Sequence, residues 1–263
     1  MNKGTPEGTE EEINFVKLMN KRERIDFWKI LGLNPDEDHA IHVTEHKEGK
    51  INDTRIKPKA DVFFSEGKVP AEELKKKDYY LDEQDSSAFR LRKIDFSGVS
   101  VKRKDSDKYQ ILKMNPSTFK KIFGSFELGA GASIYCTKAA ELSKNNSVLK
   151  GWNTDWIVFE KFFSNIKDIT LLKDSSQNPD LRLRIAQNIK EYSNKRIHEM
   201  IVKNEGITKF VFQGIGNFEE PFTASWFYES GKLRKAGIIP FNVTTGSGRS
   251  KGDFTIVIKP RSV

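Results

Sequence analysis

Cysteine is nearly absent. The 263 residues contain one, Cys136, which excludes an intrachain disulfide and a thiolate zinc cluster. Its neighbours Ile134 and Tyr135 predict a buried, inert thiol. Histidine is scarce as well: there are four, and only His39, His42 and His46 lie close together. On the alternating strand read across Ala40–His46, His42 and His46 share a face with Thr44, which does not favour a histidine metal centre. No apolar run reaches 18 residues and no secretory-type signal opens the sequence, so the expectation is a cytoplasmic protein that does not span a membrane. The glycines of Gly129-Ala130-Gly131-Ala132 are not followed by Gly-Lys-Ser/Thr. The stretch reads as a small-residue turn and not as the phosphate loop of an NTPase. No internal repeat is visible, and no linker is long enough to force two independent domains.

Positive charge and aromatics are plentiful. Lys and Arg number 45 against 37 Asp and Glu, for a net charge of +8. Such a balance favours polyanionic partners, of which nucleic acid is the commonest. Nineteen phenylalanines are enough to build a core, which excludes a disordered chain.

Two short stretches carry the chemistry. In Lys57-Pro58-Lys59-Ala60-Asp61-Val62-Phe63-Phe64 an acid stands at the entrance of an apolar strand. In Gly98-Val99-Ser100-Val101-Lys102-Arg103, alternation puts Val99 and Val101 on one face and Ser100 and Lys102 on the other. If the strands are neighbours, Asp61 and Lys102 meet at one sheet edge. A carboxylate beside an ammonium is the minimum needed to hold a divalent cation and a phosphate together. Near the amino terminus, Thr9 is read as the cap of a helix whose first turn is Glu10-Glu11-Glu12. Glu12 shares a face with Phe15, Val16 and Met19, so it either serves the helix terminus or points inward as a ligand.

The pairing of Asp61 with Lys102 resembles the PD-(D/E)XK nucleases, and among them the type II restriction endonucleases, over roughly residues 10–115. Pro58 stands three residues before Asp61 instead of adjacent to it. Ser100 stands where the family usually has Asp or Glu. The resemblance implies a Mg²⁺-dependent, sequence-specific endonuclease of double-stranded DNA, part of a restriction–modification pair and a homodimer on palindromic sites. Asp61 would be the central Mg²⁺ ligand, the Val101 carbonyl a further one, and Lys102 would act on the attacking water or the developing charge. Ser100 offers only a neutral hydroxyl. Glu12 is therefore the candidate for the missing carboxylate.

A rival pattern fits the letters better. Pro35-Asp36 followed by Glu45-His46-Lys47 spells the motif literally, but Asn34-Pro35-Asp36-Glu37-Asp38 reads as a turn after a helix, where a catalytic aspartate should open or sit in a strand. Two further functions remain open: a DNA- or RNA-binding protein with a nuclease-like fold but no activity, suggested by Ser100, and another basic metal-dependent hydrolase.

Candidate DNA contacts follow from charge. Lys104, Lys108 and Lys113 come soon after the Lys102 strand. From Lys232 to Arg261 there are seven Lys or Arg and one acid, and the loop from Thr244 to Gly252 has no apolar residue. Its Arg249, Ser250 and Lys251 suit phosphate tracking, with Arg249 reading a guanine edge. The expected fold is α/β, a central mixed sheet flanked by helices with a strand-rich carboxy-terminal part. The chain is read as one nuclease domain: a catalytic core over 10–135, a mostly helical stretch over 136–206, and a strand-rich, DNA-contacting part over 207–263. Within it, Phe89–Phe96, Lys209–Gln213, Phe222–Tyr228 and Gly237–Val243 are read as strands, and the longest helix opens at Asn178-Pro179-Asp180.

Overall fold

A computed structural model describes residues 6–44, 50–51, 54–55, 57–102, 109–138, 142–173, 177–216, 218, 220–247 and 254–261. In chain order the elements begin with helices α1 (Pro6–Asn20) and α2 (Ile25–Leu31) and strand β1 (Asp38–His42). Then come β2 (Lys50–Ile51), β3 (Thr54–Arg55), β4 (Val62–Glu66), α3 (Ala71–Lys76), α4 (Glu83–Ala88), β5 (Arg92–Lys93) and β6 (Val99–Lys102). The middle of the chain supplies β7 (Leu112–Met114), α5 (Pro116–Phe123), α6 (Glu127–Ile134), α7 (Leu142–Gly151), α8 (Trp156–Phe162), α9 (Pro179–Lys203) and α10 (Glu205–Gln213). The last strands are β8 (Trp226–Glu229), β9 (Lys232–Lys235), β10 (Phe241–Ser247) and β11 (Phe254–Pro260). The architecture is α/β, with a mixed sheet flanked by helices and strands in the carboxy-terminal part. Among the described residues no helix is long and apolar enough to cross a membrane.

The chain forms two compact units. One comprises Met1–Tyr109 with Thr208–Ile238, the other Gln110–Ile207 with Ile239–Val263. In the first unit the main sheet runs β1-β4-β6-β8-β9, with β5 also pairing β4. All its pairs are antiparallel except β6–β8, which is parallel. The strand-rich end of the chain is thus shared out: β8 and β9 complete this sheet, while β10 and β11 join β7 in the second unit.

Alternation along β4 sends Val62 and Phe64 to one face and Phe63 to the other. Phe15, Val16 and Met19 of α1 and Phe27 and Trp28 of α2 cover the first face, packing on Val62, Phe64, Val99 and Val101. Each such large side chain, fully buried, contributes about 1.5–3 kcal/mol. Leu74 of α3 and Leu81 pack with Ile41, Val43 and Phe63 on the second face. Buried Asn20 pins the end of α1 to β1: its side-chain amide donates to the Ala40 carbonyl at 2.9 Å and accepts from the Ala40 amide at 2.8 Å. α2 stops at Gly32, whose left-handed φ of 70° lets its N–H reach back to the Trp28 and Lys29 carbonyls.

Several expectations need correcting. α1 begins at Pro6, so Glu12 lies in its second turn and not at the helix terminus. The strand read over Phe89–Phe96 shrinks to Arg92–Lys93, because Asp82 caps α4 with a reciprocal Asp82/Asp85 capping box and the helix runs to Ala88. Gly129-Ala130-Gly131-Ala132 is the middle of buried helix α6. Its glycines permit close packing: a Cβ on Gly129 would fall 2.2 Å from the Trp152 ring, and one on Gly131 2.3 Å from Ser193 Oγ. Lys209–Gln213 is the end of α10, since a continuous apolar run does not by itself separate a buried helix from a buried strand. The last strands also move: β8 starts at Trp226 and β10 at Phe241, and β9 was not foreseen. Cys136 is exposed. The longest helix does open at Asn178, whose side chain accepts from the Asp180 and Leu181 amides, with Pro179 in the first turn.

Candidate active site

The site begins where β4 and β6 part. Val62 and Val99 are their one paired position, with the Asp61 amide donating to the Val99 carbonyl at 2.9 Å. Before Asp61 the chain turns away, and the amides of Lys59 and Ala60 donate to the Phe222 carbonyl at 2.6 and 2.9 Å. A regular ladder would have set Val101 opposite Ala60. Instead the Val101 amide donates to Asp61 Oδ2 at 2.8 Å. The side-chain carboxylate thus fills a gap that the backbone opens and gives the Val101 amide an acceptor.

Asp61 Oδ2 also accepts from Ser100 Oγ at 3.1 Å, and Ser100 Oγ in turn accepts from Lys102 Nζ at 2.5 Å. Ser100 is only 1% exposed. A buried hydroxyl therefore joins a cation to an anion, its proton directed at Asp61 and a lone pair at Lys102. Lys102 Nζ also lies 5.5 Å from the centre of the Tyr109 ring, within cation–π range. Burial, and then the charge and hydrogen bond of Glu229, push the Tyr109 hydroxyl up to about 12. Glu229 sits opposite Lys102 on β8 and pairs with Arg234 at 3.2 Å.

Lys59 was not singled out from sequence. It is largely buried, and burial, followed by the nearby Lys102 ammonium, lowers its pKa to about 7 against the opposing pull of Asp61. The run Lys-Ala-Asp gave no sign of this, because it depends on the chain turning toward Phe222.

Glu12 reaches the site from the α1 face. His42 lies opposite Val62, on the face that α1 covers, and its Nε2 meets Glu12 Oε2 at 3.0 Å. The other ring nitrogen, Nδ1, meets the Tyr80 hydroxyl at 2.9 Å. Burial raises the Glu12 carboxyl above the usual carboxylate range; the His42 hydrogen bond opposes this, and the Asp61 charge adds to it. Lys102 also acts on Glu12 electrostatically, so Glu12, Asp61 and Lys102 share one electrostatic environment.

Among the described residues no group of three His, Cys, Asp or Glu side chains could hold a metal ion. The donors present nevertheless suit Mg²⁺. That ion takes hard oxygens, is commonly held by one or two carboxylates, and keeps its remaining positions for water and substrate phosphate. The Asp61 charge disfavours ionisation of Glu12, and a bound cation would offset that. The Val101 carbonyl faces the same strand edge as its N–H, toward the Asp61 gap.

The remaining candidates fall elsewhere. Lys113 is exposed on β7, in the second unit. Lys104, Lys108, Arg249, Ser250 and Lys251 lie outside the described residues, as do Glu45 and Lys47 of the rival motif. Asp36 is exposed in the turn between α2 and β1, its amide bonded to Asn34 Oδ1 at 3.1 Å. No family model, curated protein or solved structure matches the chain.

Proposed function

We propose that the chain is a Mg²⁺-dependent endonuclease of double-stranded DNA, site-specific in the manner of type II restriction enzymes. The observation that carries this reading is the hydrogen-bonded run Lys102–Ser100–Asp61 at the parting of β4 and β6, with the Glu12 carboxylate in electrostatic reach. The net charge of +8 supports a polyanionic substrate.

The roles follow from chemistry. Asp61 and Glu12, with the Val101 carbonyl, would hold Mg²⁺, which when bound neutralises phosphate charge and makes a water more acidic. Lys102, bonded to Ser100 in the free protein, would release it and donate to a phosphate oxygen or to the attacking water. Ser100 keeps Lys102 and Asp61 in register until substrate arrives.

A second reading, a nucleic-acid-binding protein without activity, is favoured by Ser100 itself. A hydroxyl supplies no negative charge, and here its hydrogen bond occupies the Asp61 oxygen. A digest of sequenced plasmid with Mg²⁺, and again with EDTA, tests the proposal. Discrete fragments that vanish with EDTA support it. DNA retained on the protein but never cut favours the second reading, and a smear marks a nuclease without site preference.

A further inference from the structure

α1 alone does not hold Glu12. Its Oε2 is engaged by His42 Nε2 at 3.0 Å, and His42 Nδ1 is engaged by the Tyr80 hydroxyl at 2.9 Å. His42 is 5% exposed, and the Tyr80 ring meets its imidazole edge-on with centroids 5.8 Å apart. The His42 amide donates to the Leu81 carbonyl at 2.9 Å, which ties the same strand position to the segment that carries Tyr80. An ionised carboxylate only accepts, so the hydrogen between Glu12 and His42 belongs to Nε2. Tyr80, raised to about 12 mainly by burial, keeps its hydroxyl proton and can donate it to Nδ1.

We propose that His42, oriented by Tyr80, is the positioning residue that prepares Glu12 as a ligand for the divalent cation. By taking Oε2 it sets the carboxylate's rotation and leaves Oε1 for the ion. This rests on the reading of Glu12 as the acid that replaces the carboxylate missing at Ser100. A free glutamate side chain samples many rotamers, and fixing it beforehand removes that entropic cost from cation binding. Hydrogen-bond partners that orient a metal ligand act in this way, and their loss weakens metal affinity about 10–100-fold.

The test is Mn²⁺ binding to the full chain, followed by electron paramagnetic resonance, for the wild type, Asp61→Asn, Glu12→Gln, His42→Leu, His42→Gln and Tyr80→Phe. Circular dichroism and DNA affinity in EDTA serve as structural readouts. The expected result is an affinity loss of about tenfold or more in Glu12→Gln and His42→Leu. His42→Gln, which keeps an N–H donor, should recover most of it, and Tyr80→Phe should fall between, with both structural readouts unchanged. Wild-type affinity in His42→Leu and Tyr80→Phe, with Glu12→Gln still weak, would overturn the positioning role and leave Glu12 a ligand. Wild-type affinity in Glu12→Gln would overturn it at the root, and a loss confined to Asp61→Asn would leave the Asp61 reading standing. Absence of Mn²⁺ binding by the wild type would remove both the positioning role and the metal-dependent reading. If His42→Leu does not fold, His42→Gln and Tyr80→Phe decide, and wild-type affinity in both, with Glu12→Gln still weak, would overturn the role.

Discussion

The Val101 amide donates to the Asp61 carboxylate at 2.8 Å, at the position where β4 should have offered a carbonyl. One acidic side chain thus closes a backbone gap, and in the proposed function it is also a cation ligand. Replacing it should have two effects that can be measured apart. Asp61→Ala leaves the Val101 amide without this partner and should lower stability by about 1–3 kcal/mol. Asp61→Asn keeps an oxygen acceptor for that amide, so the fold should survive while Mg²⁺-dependent plasmid cleavage falls at least a hundredfold, on the order expected for losing a metal ligand. Full activity in a folded Asp61→Asn protein would transfer attention to Asp36.

Lys102→Ala should abolish cleavage, by about a hundredfold or more, while DNA affinity measured in Ca²⁺ or EDTA stays close to wild type. In the proposed function Lys102 acts on charge that develops during reaction, which binding alone does not require. Equal losses of binding and cleavage would make Lys102 a simple phosphate contact.

Salt should weaken DNA binding steeply, because each phosphate contact releases counterions. An Arg249→Ala/Lys251→Ala double variant should lower the slope of log affinity against log salt by about two and leave circular dichroism unchanged. An unaltered slope would remove Arg249 and Lys251 from the interface.

His39 predicts an acid-labile fold. It is 4% exposed, and burial, aided by the Arg22 charge, lowers its pKa from 6.5 to about 4. Above pH 6.5 neither folded nor unfolded chain protonates it. As pH falls from 6.5 to 4 the unfolded chain binds the proton and the folded one does not, so stability declines across that window, by up to about 3 kcal/mol. Urea unfolding at several pH values should show this decline, and His39→Gln should flatten it.

Gly129→Ala should lower the melting temperature of the second unit by several degrees. An added methyl lands 2.2 Å from the buried Trp152 ring, and overpacking of this kind costs about 1–3 kcal/mol. A melting temperature within a degree of wild type would mean that α6 and Trp152 yield without cost.

What was legible in the sequence was local. Periodicity marked Phe15, Val16 and Met19 as one buried face, Asn178-Pro179 as a helix start, and Val99 to Lys102 as an alternating strand. Such signals depend on neighbours a few residues apart, so the chain carries them without a fold. Tertiary structure decided what depends on distant partners. The helical state of Lys209–Gln213 and of Gly129–Ala132 was set by what packs against them, because short apolar or small-residue runs fit a helix or a strand equally well. The site divides in the same way. Asp61, Ser100 and Lys102 could be paired from strand patterns, but the hydroxyl bridge between them arises from the parting of β4 and β6. Tyr80 and Lys59 had no sequence signal, and His42 was weighed only within a histidine cluster, since the surroundings of each come from the chain turning it toward Glu12 or Asp61 across dozens of residues or a bend in the backbone.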